Sequence, residues 1–300
     1  MFNKLVVIEP VNLTKKCKEE LKNYAKEVIL YDDIPGSPEE IISRAKDADA
    51  MLVSYTSYIG SDVLEACINL KYVGMCCSLY AEESANVDIA YAREHGITVK
   101  GVRDYGDRGV VEYVLYQLIQ IMHGFGDIAW DNAPIELTKL PVGIVGLGTS
   151  GGMIAEALNN LGACVSYYSR TRKPEQESKG ISYMPLPELL NNNQVVITCL
   201  NKNVLLLKEE EFKQLGNKKI LFNTSIGPSF ENEPLAKWLE CSDNIFCCDS
   251  LGALGEMANE LFDKPNVLCM NVSSGTTKQA FGLLSQKVIN NITEFQASAK

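Results

Sequence analysis

Histidine is nearly missing from this chain: among 300 residues only His95 and His123 occur. Chemistry that relies on imidazole, whether a proton relay or a multi-histidine metal site, has little to draw on. An apolar run of membrane-spanning length is missing too. The longest, over 110–122, is interrupted by Glu112, Gln117 and Gln120, and a span needs about 20 apolar residues. Residues 1–10 hold only a short apolar run that reads as a first strand, not as a cleavable leader, so a soluble, cytoplasmic protein is expected. Positive charge is in deficit, with 28 Lys+Arg against 38 Asp+Glu and a net charge of -10. That balance argues against a nucleic-acid partner and against an anionic membrane surface. Cysteine is plentiful at ten residues, yet no CxxC or Cys/His grouping with zinc spacing is present. Adjacent pairs at Cys76-Cys77 and Cys247-Cys248 read as small hydrophobes on buried strands, and no metal is expected.

What is present is an ordinary globular composition, 46% hydrophobic and 22% charged, over a length that suits two domains. Apolar runs near 5–8, 28–31, 50–53, 71–76 and 97–99 read as strands, with helical stretches near 15–25, 38–46, 61–67 and 88–95 between them. The same rhythm resumes with strands at 142–145, 163–168, 194–198, 219–223, 245–249 and 267–268. Strands alternating with helices predict an α/β protein of two Rossmann-like or flavodoxin-like lobes, each with a parallel sheet, and a cleft between them. A long apolar helix over 109–122 is expected to lie between layers or in an oligomer interface, and a homodimer is anticipated. The last helix, near 276–296, is expected to return to the first lobe. The predicted domains are a flavodoxin-like substrate domain at 1–103 plus 276–300 and a nucleotide-binding Rossmann domain at 104–275.

The strongest chemical signal lies at 141–172. A strand runs into GLGTSG at 146–151, a helix follows, and the next strand ends in SRTR at 169–172. Gly146 allows the tight turn, Gly148 lets the backbone approach a pyrophosphate, and Gly151 lets helix pack on strand. The helix N-terminus offers free N–H donors to the phosphates. An acid at the end of the second strand would bind the ribose 2′-hydroxyl of NAD, but the positions read Ser169, Arg170 and Arg172, with no acid before Glu175. Guanidinium groups and a hydroxyl suit a 2′-phosphate, so NADP(H) is predicted in preference to NAD.

In order and spacing, NVD at 86–88, REHGITV at 93–99, VVEY at 110–113, VGIVGLGTSG at 142–151, PLPELL at 185–190, FNTSIG at 222–227, CDS at 248–250 and PNV at 265–267 resemble the D-isomer-specific 2-hydroxyacid dehydrogenases, whose members include glyoxylate and hydroxypyruvate reductases. The resemblance covers nearly the whole chain. It implies a catalytic lobe built from both chain ends, a central cofactor lobe, hinge motion and a homodimer. It implies that the Thr149 and Ser150 amides touch the pyrophosphate and that Asp249 hydrogen-bonds the nicotinamide carboxamide. It adds Thr224, Ser225 and Gly275 to the cofactor-binding set.

Departures from the family are equally specific. Members reduce a 2-oxo acid with an Arg that holds substrate, a His that donates the proton and a Glu that keeps the His charged. The Arg position reads Ile226 within Asn223-Thr224-Ser225-Ile226-Gly227, and the His position reads Val272. The Glu position falls near Leu254, with Glu256 the closest acid. The glycine-rich turn expected before NVD reads SLYAEESA at 78–85. Losing one oxyanion donor costs on the order of 10² to 10³ in rate and losing a general acid about 10² to 10⁴, so the family's standard mechanism is not expected. In its place stands RDYGDR at 103–108: Arg103 and Arg108 can clamp an anion and Tyr105 can donate a proton. The expected function is therefore an NADP(H)-dependent oxidoreductase acting on CH-OH or C=N groups of a small molecule with non-standard catalytic residues. A protonated imine, a pterin for instance, would need neither oxyanion donor nor acid. The alternative is a catalytically silent NADP(H)-binding regulatory protein.

Overall fold

The computed structural model describes residues 1–202 and 204–298. They fold as two compact units, one made of residues 1–105 and the segment that begins at Thr277, the other of residues 106–276.

In the first unit the strands are β1 (Phe2–Val7), β2 (Ala25–Leu30), β3 (Ala50–Val53), β4 (Tyr72–Ser78) and β5 (Thr98–Val102). The helices are α1 (Lys15–Glu20), α2 (Pro38–Ala45), α3 (Ser61–Ala66), α4 (Ile89–Glu94) and, from the far end of the chain, α12 (Lys278–Ser298). All pairings are parallel in the order β2-β1-β3-β4-β5, a flavodoxin-like sheet. Such a sheet is covered on both faces, which is why β3 is buried at every position. Helix starts follow side-chain chemistry: Thr14 accepts from the Cys17 N–H at 3.2 Å, and Ser37, just before Pro38, accepts from the Glu40 N–H at 3.3 Å. The helix anticipated over 15–25 is cut short. It ends at Glu20, a 3-10 turn spans Leu21–Asn23, and Ala25 opens β2. The Phe2 N–H already bonds the Tyr24 carbonyl at 2.8 Å, so the ladder to β1 claims the chain before another helical turn can form. Helix α12 lays Leu284, Val288, Ile289 and Ile292 into the core containing Leu5 and Tyr72. Burial of each such aliphatic side chain contributes about 1.5–3 kcal/mol.

The second unit opens with α5 (Asp107–His123), followed by β6 (Pro141–Val145), α6 (Thr149–Asn160), β7 (Cys164–Tyr168), α7 (Pro174–Glu177), β8 (Ser182–Tyr183) and α8 (Leu186–Asn192). It closes with β9 (Val195–Thr198), α9 (Glu209–Leu215), β10 (Ile220–Asn223), α10 (Asn232–Trp238), β11 (Ile245–Cys248), α11 (Ala258–Leu261) and β12 (Val267–Cys269). The seven parallel strands lie in the order β12-β11-β10-β9-β6-β7-β8, the doubly wound Rossmann arrangement. The fold class is thus α/β with two parallel sheets. Along helix α5, Tyr113, Val114, Leu118 and Ile121 are buried, and Glu112 and Tyr116 are exposed. Among the described residues no helix is long and apolar enough to cross a membrane.

Candidate functional site

In the Rossmann sheet the strand order reverses between β6 and β9, and ligands of such sheets sit beyond the strand carboxyl ends at that point. The turn after β6 lies there. Gly146 has φ +98°, and a Cβ on it would come within 2.5 Å of the Cys199 carbonyl oxygen. A Cβ on Gly151 would meet the Gly146 carbonyl at 2.1 Å. Gly148 differs, because a Cβ there would have nothing within 4 Å. Two glycines are therefore demanded by the protein's own packing and the third is not. It precedes α6, whose first residues are Thr149 and Ser150, so open space faces a helix N-terminus with unbonded amides. That combination fits a pyrophosphate. The Ser150 hydroxyl is already committed, donating to the buried Asp107 carboxylate, and this leaves its amide for a ligand.

The cationic strand end divides into two parts. Arg172 is held by Glu177 through a two-pronged pair, its Nε 3.0 Å from Oε1 and its Nη2 on Oε2, and it lies 5.1 Å from the Tyr183 ring. Arg170 is exposed and makes no ion pair among the described residues. The Ser169 hydroxyl donates to the Thr171 carbonyl, which keeps its lone pairs available.

The segments after β10, β11 and β12 carry the remaining cofactor candidates. Thr224 Oγ1 donates to the Thr198 carbonyl at 2.9 Å and lies 3.2 Å from Cys199 Sγ; burial pushes that thiol up to about 12. Ser225 Oγ accepts from the Leu200 N–H at 2.8 Å. The Asp249 carboxylate accepts from the Ser274 N–H (2.8 Å) and hydroxyl (2.7 Å), tying down the loop after β12. Gly275 is packed so closely that a Cβ on Gly106 would reach its carbonyl oxygen at 2.8 Å. At the same sheet end Ile226 and Val272 are 58% and 66% exposed, an unusual state for aliphatic side chains and one with no charge or proton donor to offer.

The four catalytic candidates are not brought together within either unit. Arg103 and Tyr105 belong to the first. Arg103 spends Nε on the Leu79 carbonyl and Nη2 on the Tyr80 carbonyl, both at 2.7 Å, and its guanidinium lies 5.7 Å from the Tyr80 ring. Tyr105 packs against the α12 core; burial raises its phenol above the ordinary range, with a Ser78 hydrogen bond opposing the shift. Arg108 and Glu256 belong to the second unit and are exposed, and neither forms an ion pair among the described residues. The histidines have local roles: His95 Nδ1 lies 2.9 Å from the Tyr91 carbonyl and His123 stacks on Phe125. Among the described residues no group of three or more potential ligands could hold a metal ion.

Sequence reasoning passed over two buried hubs. Glu9, fully buried after β1, accepts from the Ser54 N–H (2.7 Å) and the Ser57 hydroxyl (2.6 Å). Asn223, the last residue of β10, joins the end of β9 to the loops after β10 and β11. In each case the signal was a polar residue at the end of an apolar run, Leu5–Ile8 for Glu9 and Ile220–Phe222 for Asn223.

A family profile for the catalytic domain of the D-isomer specific 2-hydroxyacid dehydrogenases matches residues 5–300. A hydroxypyruvate reductase from Blautia hydrogenotrophica is 26% identical over 293 residues, covering 90% of this chain and 89% of its own. Among solved structures, D-lactate dehydrogenase from Escherichia coli aligns with TM-score 0.78 at 19% identity, over 98% of this chain and 97% of that one. An acyclic imino acid reductase solved with NADPH and D-Arg aligns with TM-score 0.81 at 20% identity, over 98% and 97%. These structures share the fold, and the profile match spans nearly all of the sequence. The chain belongs to the D-isomer specific 2-hydroxyacid dehydrogenase family, a family of oxidoreductases.

Proposed function

We propose that this protein is an NADP(H)-dependent oxidoreductase that transfers hydride between the nicotinamide and a small carbonyl or C=N substrate. The observation that carries the reading is Gly148, whose missing side chain leaves open space in front of the α6 N-terminus while its two companion glycines are required by internal contacts. The amides of Thr149 and Ser150 would hold the pyrophosphate. Ser169 and Arg170 would bind the 2′-phosphate, and Arg172, with its fork on Glu177, would assist through its charge. Thr224, Ser225, Asp249 and Gly275 would bound the nicotinamide half. When bound, the cofactor supplies a hydride to an electrophilic carbon.

Among the chain's own groups, Tyr105 is the candidate proton donor, because a phenol carries its proton at neutral pH. Arg103 would anchor an anion with the nitrogen it has not committed to Leu79 and Tyr80. Arg108 and Glu256 would supply charge from exposed positions. A related hydroxypyruvate reductase and an NADPH-bound imino acid reductase of the same fold make 2-oxo acids and imines the first substrates to test. The direct experiment mixes protein and NADPH with 2-oxo acids, aldehydes and cyclic imines and follows nicotinamide absorbance. Turnover that disappears in Tyr105→Phe and Arg103→Ala supports the assignment, and unchanged rates remove those residues from it. A second reading, a nucleotide-binding protein without turnover, draws on Ile226 and Val272 standing where the family pattern has Arg and His. It predicts NADPH binding with no oxidation by any member of the panel.

A further inference from the structure

The side chains of Thr198, Asn223 and Ser229 are all completely buried at the carboxyl end of the Rossmann sheet, and none of them comes within 4 Å of a Cβ built on Gly148. Asn223 Nδ2 donates to the Gly227 carbonyl at 3.0 Å and to the Ala253 carbonyl at 2.9 Å. Its Oδ1 accepts from the Ser225 N–H at 3.1 Å and lies 3.0 Å from Thr198 Oγ1. Ser229 Oγ donates to Thr198 Oγ1 at 2.8 Å. The amide's orientation follows from its surroundings, since two carbonyls need a donor on one side and an N–H with a hydroxyl meets an acceptor on the other. One buried side chain thereby fastens the end of β9 to the loops that leave β10 and β11. These segments contain glycines in the left-handed region, Gly227 at φ +82° and Gly255 at φ +73°.

We infer that Asn223, supported by Thr198, is a positioning residue that sets the nicotinamide half of the cofactor site. The inference rests on the dinucleotide reading above, because the loops it joins carry Thr224, Ser225 and Asp249. The Gly146–Gly151 turn receives no hydrogen bond from Asn223, so loss of the network should spare the adenosine-diphosphate end. Aspartate is nearly the same shape but has no N–H to give, and its charge would face two carbonyl oxygens in a buried place. Valine in place of Thr198 keeps volume and removes the hydroxyl.

The test is a calorimetric titration of wild type, Thr198→Val, Thr198→Ser and Asn223→Asp with NADPH and with 2′,5′-ADP, after thermal melts establish that each is folded. The expected result is an NADPH affinity about 10-fold weaker in Thr198→Val and Asn223→Asp, the loss typical of one buried hydrogen bond. Binding of 2′,5′-ADP should stay within about twofold, and Thr198→Ser should behave as wild type. Equal weakening of both ligands, or no change in either, overturns the inference. If Asn223→Asp does not fold, the Thr198 pair decides alone. Wild type that binds neither ligand sinks the dinucleotide reading itself, which is a different outcome from wild-type binding with unaltered variants.

Discussion

At the scale of single residues, glycines and arginines that look alike in sequence part company once their neighbours are known. Gly148→Val should leave thermal stability close to that of wild type, because its Cβ meets open space, while NADPH binding is lost on calorimetric titration. Gly151→Ala should do the reverse first, lowering the melting temperature, because its Cβ would sit 2.1 Å from the Gly146 carbonyl oxygen. Arg170→Ala should weaken NADPH by about 10- to 100-fold, the value of a charge-assisted hydrogen bond, and leave NADH almost unchanged. Arg172→Ala should cost less, since its guanidinium is already neutralised by Glu177. The motif at 146–151 and the absence of an acid before Glu175 were legible in the sequence because turn geometry and charge are local properties. That Glu177 occupies Arg172 was not, because the pairing depends on where α7 turns the chain.

Among the elements, the strands other than β8 and the longer helices were legible in the sequence, and the short helices of the second unit were not. Runs such as Ala50–Val53 and Ile245–Cys248 are buried at every position, so continuous hydrophobicity marks them. The short helices α7 to α11, of four to seven residues, leave too few turns for a 3.6-residue period to show. Their ends are satisfied by distant groups. Lys219, just before β10, donates Nζ to the carbonyls of Asn191 (2.7 Å) and Asn193 (2.6 Å) at the end of α8, and partial burial lowers its ammonium pKa. Lys219→Met should therefore destabilise the protein by about 1–3 kcal/mol through unpaired carbonyls, measured as a lower urea midpoint with unchanged slope.

For the whole molecule, the cysteines give a readout of folding. Of the ten, Cys164 is the one exposed thiol among the described residues. A thiol reagent should modify one group quickly in native protein and ten in denaturant; several fast thiols would contradict this packing. Burial pushes Cys67 up to about 11, so the folded state retains a proton that the unfolded chain loses above its ordinary value near 8.5. Stability should fall with rising pH through the interval between those values, by about 1.4 kcal/mol per unit for this one group, and Cys67→Ala should flatten that part of the profile. Composition, strand periodicity, the glycine turn and the cationic strand end were settled by the sequence alone, since each depends on residues within a few positions of one another. The strand order, the packing of Tyr105 against α12 and the Asn223 network were decided only by tertiary structure. They join residues far apart along the chain, and a hydrogen bond or a buried contact exists only when folding brings both partners to the same place.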